Sequence, residues 1–140
     1  MAYAESSSIP FETSTAQIVA FLRKHGADQI GQFEGDGIFA IQFTLADRRI
    51  RFRVGLADKR IKRRPDQVRR QRGRALLLVI KAKVESVEAG IESIEQAFLA
   101  HIVTSTGETV HERIAEPLAI EYQTGQPGPV AGLLGGPSDG

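Results

Sequence analysis

The sequence predicts a single α+β domain, and three observations carry that expectation. Period-two alternation of apolar residues marks strands in the first half. Glycine- and aspartate-rich turns separate those strands. A long run of apolar residues stepping by three and four marks helix in the second half. At 140 residues the chain fits one domain, able to bury about two-thirds of its unfolded surface in one core. Residues 1–123 are read as that domain, with a basic loop at about 55–65, and 124–140 as a flexible tail.

The first element is an N-terminal helix. Thr13-Ser14-Thr15-Ala16-Gln17 reads as a helix start, with Ser14 as cap and Gln17 three residues on, as in a capping box. Ile18, Phe21 and Leu22 share a face, and Gly26 after His25 is a stop.

Three strands follow, around Gln29–Phe33, Ile38–Leu45 and Arg49–Val54. They are separated by Glu34-Gly35-Asp36-Gly37 and Ala46-Asp47-Arg48, and read as an antiparallel meander. Phe39, Ile41, Phe43 and Leu45 line one face of the second strand, and Ile50, Phe52 and Val54 one face of the third. The opposite face of the third carries Arg49, Arg51 and Arg53.

Pro65 and Asp66 open a long helix, since a proline in the first turn forfeits no helical hydrogen bond. The helical pattern runs from about Asp66 to Val103. Its seam is Leu77, Ile80, Val84, Val87, Ile91, Ile94 and Phe98, bordered by Glu85, Glu88, Glu92 and Glu95. This helix is expected to pack on the sheet; a homodimer through the same seam is a second use of it, and the two can coexist because a helix has more than one face. Gly73 and Gly90 mark a kink or a close crossing. Glu108–Ile114 and Leu118–Tyr122 admit an extra hairpin, and Leu133 and Leu134 in the Gly/Pro-rich tail are its docking residues if it docks at all.

Composition excludes several chemistries. There is no cysteine, which removes disulfides, thiol nucleophiles and thiolate metal sites and fits a reducing cytoplasm. No stretch has the length of a membrane span, and the N-terminus lacks the basic and apolar parts of a signal peptide. There is no P-loop, G-x-G-x-x-G, H-E-x-x-H or EF-hand loop. His25, His101 and His111 read as structural, as do Asp28, Glu34, Asp36 and Asp47 near strand ends. Serines 6, 7 and 8 have no base nearby. The expectation is therefore a non-enzymatic protein with no cofactor and no metal.

The informative feature is the placement of charge. Between Arg48 and Lys83 lie fifteen of the eighteen basic residues against two acids, Asp58 and Asp66. The rest of the chain holds fifteen acids against Arg23, Lys24 and Arg113. Arginine exceeds lysine by eleven to four in the segment, and its planar fork suits phosphate. Basic residues at the start of the long helix oppose the helix macrodipole, so local helix stability does not account for them. The candidate phosphate-contacting residues are Arg49, Arg51, Arg53, Lys59, Arg60, Lys62, Arg63, Arg64, Arg69, Arg70, Arg72 and Arg74. Nucleic acid is the leading partner, DNA ahead of RNA. Aromatic residues are sparse and mostly placed for the core, which gives base stacking weak support and makes duplex or backbone-led binding at least as strong an expectation. The rival is an acidic patch on a host protein.

The segments GADQIGQF, IRFRV and RALLLVIKAKVESVEAGIESIEQAFLAHIV resemble a set of small phage- and prophage-encoded proteins, over roughly Ala2 to Tyr122. That resemblance implies a phage protein acting in the bacterial cytoplasm, on DNA or on a host protein that handles nucleic acid, either as a binder or as an inhibitor or adaptor. It implies no catalytic residue. The order helix, three strands, helix also resembles the double-stranded-RNA-binding domain, without that family's Gly-Pro-x-His turn or lysine motif.

Overall fold

A computed structural model describes residues 7–57, 64–128 and 130. The fold is α+β. Helix α1 (Phe11–Lys24) leads into strands β1 (Asp28–Gly35), β2 (Ile38–Leu45) and β3 (Arg48–Gly55). Helix α2 (Pro65–Glu88), the short α3 (Ile94–Phe98), a 3₁₀ turn (Leu99–His101) and α4 (Val110–Thr124) follow.

The sheet is an antiparallel meander in the order β1-β2-β3. Both connections are two-residue loops with positive φ at each central residue, Asp36-Gly37 and Ala46-Asp47. That is the backbone of type I′ turns, whose twist matches the strands they join. Phe39, Ile41 and Phe43 from β2 and Ile50 and Phe52 from β3 are buried on one face. Ile18 and Leu22 of α1, Leu76, Leu77, Ile80 and Val84 of α2, and Phe98 of α3 join them in one core. Phe98 meets Phe43 and Phe52 edge-on, with centroids 6.2 and 6.3 Å apart.

The seam Leu77-Ile80-Val84 is thus committed to this chain's own core. Helix α2 lies against α1 where both present small residues. At Gly73 a methyl group would sit 2.8 Å from Phe11 Cδ1 and 3.3 Å from Ser14 Cβ. The glycine therefore marks a close helix crossing.

Three expectations are corrected. Ser14 does not cap α1. The helix begins one turn earlier, after Pro10, and Ser14 is fully buried at the crossing. Early burial of Phe11 against Phe39, with centroids at 5.1 Å, draws the helix start back to residue 11.

The helix expected to reach Val103 ends at Glu88. Gly90 adopts φ +77°, Gly90 N–H bonds Val87 O at 3.1 Å and Ile91 N–H bonds Ser86 O at 3.0 Å. These two bonds are a Schellman stop, which favours glycine because only it enters the left-handed region without steric cost. Helix then restarts at a capping box in which Ser93 Oγ accepts from Gln96 N–H and Gln96 Oε1 from Ser93 N–H.

The extra hairpin does not form, and residues 110–124 are the helix α4. Its start is another capping box, between Thr109 and Glu112. Pro117 lies inside it, withdrawing one N–H donor without ending the helix. Of the tail, Gly125 caps α4 in the left-handed conformation and Val130 N–H bonds Glu121 Oε2 at 3.1 Å. Leu133 and Leu134 lie outside the described residues.

Candidate nucleic-acid interface

The meander has one covered face and one open face. Pairing registers align three outward rows across the strands: Gly31–Gln42–Arg51, Phe33–Ala40–Arg53 and Gly35–Ile38–Gly55. None of these nine residues is buried, and neither are Thr44 and Arg49 in the row beyond. Phe33 is 66% exposed. Phe33, Gly35, Asp36, Ile38, Ala40, Arg51 and Arg53 line an open groove of about 360 Å³.

The arginines of β3 border this face. Arg49 is exposed. Arg51 donates to Glu112 Oε1 at 3.0 Å and to Gly107 O at 2.9 Å, which ties the start of α4 to the edge of the sheet. Arg53 lies 3.6 Å from Glu112 Oε2 and keeps 54% of its side chain exposed. The Thr109 N–H, and then Arg51 and Arg53, hold the Glu112 carboxyl below its ordinary range.

A second group of candidates sits on the first turns of α2, and its main partners are internal. Arg69 bridges Glu12 and Glu34, with bonds of 3.0 Å to each, and lies 4.2 Å from the Phe11 ring centroid. Hydrogen bonds from Arg69 lower the pKa of both carboxyls, and Glu34 in turn raises that of Arg69. Arg70 bonds Asp66 at 2.9 Å and Gln67 at 2.8 Å. Arg72 donates to Gly55 O at 2.8 Å and Arg74 to Gln17 Oε1 at 2.6 Å. Arg64 is exposed, 3.9 Å from Asp66.

The anions that complement the basic start of α2 therefore include this chain's own Glu12, Glu34 and Asp66. Sequence spacing hides this, because Glu12 and Glu34 come from α1 and β1. Lys59, Arg60, Lys62 and Arg63 lie outside the described residues.

Phe33 was not among the residues the sequence singled out. Its signal was the alternation Gly31-x-Phe33-x-Gly35, which places one ring between two glycines on the same strand face. Glycine inside a strand often marks close approach of a ligand or another backbone.

No group of three or more His, Asp or Glu side chains among the described residues is arranged to hold a metal ion. His101 is stacked on Phe52 at 3.9 Å, and burial lowers its pKa. Among the described residues, no helix is long and apolar enough to cross a membrane.

The architecture defines a class of protein: an α+β domain with one sheet face covered by helices and the other open and bordered by arginine. In comparisons with known proteins, no family model matches the chain, and neither a curated protein nor a solved structure does.

Proposed function

We propose that this protein is a non-enzymatic nucleic-acid-binding protein that holds the phosphate backbone on the open face of its sheet. The observation that carries the reading is the row Arg49, Arg51 and Arg53 on one strand face, with Arg49 and Arg53 at its ends exposed. Alternate residues recur about every 7 Å along a strand, so the exposed guanidinium groups of Arg49 and Arg53 can follow an extended polyanion, while Arg51 between them is held by Glu112 and Gly107. The basic stretch Lys59, Arg60, Lys62, Arg63 and Arg64 continues the same strand in sequence and adds to the cationic charge. Arg69, Arg70 and Arg74, with partners in α1, β1 or their own helix, act in this reading as structural residues.

In this reading, which the resemblance to phage-encoded proteins supports, the protein acts in a bacterial cytoplasm, on DNA before RNA. An acidic protein surface is the other occupant such a face would accept.

Fluorescence anisotropy with labelled single- and double-stranded oligonucleotides at about 50 and 200 mM salt tests the reading, since each phosphate contact contributes roughly 0.7–0.9 to the salt slope. Binding weakens steeply with salt, and Arg49→Glu with Arg53→Glu flattens the slope while the fold persists. Absence of binding at the lower salt overturns the proposal. Retention of one stoichiometric protein from nuclease-treated host lysate then assigns the face to a protein partner.

A further inference from the structure

We propose that Phe33 is a stacking platform for an unpaired nucleobase, so that the ligand of the open face is single-stranded nucleic acid. The inference rests on the reading of that face as a nucleic-acid surface and adds the strand form and the residue that selects it.

An aromatic ring that is 66% exposed on the outer face of the edge strand β1 is an unusual use of phenylalanine, whose burial ordinarily stabilises a fold. Here the ring stands on the solvent side, opposite the core face carried by Phe39, Ile41 and Phe43. Its surroundings are cleared for a flat ligand. Gly31 and Gly35 flank it on the same strand face, and across the strand lies Ala40. The ring leans along the strand over Gly35, where a methyl group would fall 3.0 Å from Phe33 Cζ. Any larger residue at 35 displaces it.

The row continues from Ala40 to Arg53, two strand spacings from Phe33, or about 10 Å. Ring and guanidinium border the same groove, which Ile38 and Ala40 floor. Phe33 thus offers a π-face for a base, while the exposed Arg53 offers donors for the phosphate attached to it. Asp36, the acid among the lining residues, is an acceptor at the turn end of the groove.

Duplex DNA does not use such a platform, because its bases are stacked on each other and only their edges reach the grooves. Single strands do use it: unstacked bases lie on exposed aromatic rings beside cationic side chains. The combination on one sheet face of a bare ring, two flanking glycines and an arginine row therefore fits a single strand better than a duplex.

The test is anisotropy with three fluorescein-labelled probes of equal length: oligothymidylate, the same sugar–phosphate backbone without bases, and a duplex. The wild-type protein binds oligothymidylate most tightly. Phe33→Ala weakens that complex by about 5- to 150-fold, the worth of one base on a ring, and leaves the abasic and duplex affinities unchanged. Phe33→Trp restores oligothymidylate binding. Circular dichroism confirms that each variant is folded. If Phe33→Ala binds oligothymidylate as the wild type does, while Arg49→Glu with Arg53→Glu abolishes binding, the stacking site is wrong and backbone binding stands. Failure of every probe to bind overturns both.

Discussion

Arg51 and Glu112 meet at 3.0 Å, and the Glu112 oxygen that receives the Arg51 Nη2–H also receives the Thr109 N–H, at 2.8 Å. One carboxylate therefore closes the capping box of α4 and anchors that helix to the open sheet face. Helix α4 has no buried residue of its own, so this anchor and the bond from Val110 N–H to Ile102 O at 2.9 Å matter to its position. Glu112→Ala removes the reciprocal cap and both arginine contacts, and destabilises the protein by about 1–2 kcal/mol in urea unfolding. Glu112→Gln keeps an acceptor for the cap but not the charge, loses less, and raises oligonucleotide affinity by freeing Arg51 and Arg53. An unchanged affinity for Glu112→Gln places the ligand elsewhere.

Core and platform phenylalanines respond oppositely to truncation. Phe98 is fully buried between Phe43 and Phe52, and Phe98→Ala costs about 3–5 kcal/mol by loss of burial and creation of a cavity. Phe33→Ala stays within about 0.5 kcal/mol of the wild type, as exposed substitutions do. Urea midpoints of the two variants decide whether Phe33 is structural.

Gly73 reverses the usual helix rule. Alanine in place of an interior glycine ordinarily stabilises a helix by about 1 kcal/mol. Here the added methyl meets Phe11 Cδ1 at 2.8 Å and Ser14 Cβ at 3.3 Å, and overpacking of this kind costs about 1–3 kcal/mol. Gly73→Ala therefore lowers the melting temperature, and a rise would show that the α1–α2 contact is looser than the structure has it.

Acid weakens the fold in two ranges. His101 has its pKa lowered from 6.5, first by burial, so the unfolded chain binds its proton more readily. Stability falls as pH drops below about 6.5 and levels off once pH passes the folded value. Glu12, Glu34 and Glu112 are depressed from 4.5 and Asp66 from 3.8. Their contribution is complete above those ordinary values and is lost as pH falls through the lower folded ones. Urea midpoints measured from pH 7.5 to 3 decline accordingly, and His101→Gln removes the upper step. A midpoint constant over that range contradicts the assignment.

Gly35→Ala isolates the ring position from the ring itself. The three atoms nearest the new methyl all belong to the Phe33 ring, so the side chain swings aside at small cost in stability. Single-strand affinity then falls while the melting temperature holds, and unchanged single-strand affinity separates the platform from its present ring position.

Where the sequence reading and the structure part, the reasons lie in particular residues. The three strands and their turns were legible because alternation and positive-φ turn residues act over a few positions. Phe39, Ile41, Phe43, Ile50 and Phe52 face the core as their period requires. The second half was misread because the apolar seam keeps its three-four step across Gly90, while the chain stops and restarts beneath it. The signals were present: Gly90 followed by Ile91, then Ser93-x-x-Gln96 and Thr109-x-x-Glu112 as capping boxes. Pro117, which would interrupt many helices, lies inside α4 without ending it.

The sequence by itself determined the α+β class, the meander with its core face, the arginine row on the opposite face and the concentration of positive charge. All of these follow from local periodicity and composition. Only the tertiary structure decided which charges are paired within the chain, because ion pairs depend on distance in space. Arg69 meets Glu12 and Glu34 from two other elements, and Arg51 meets Glu112 from a fourth helix. Exposure of Phe33 was likewise settled by packing: helices cover one side of the sheet, and the pairing register places this ring on the other.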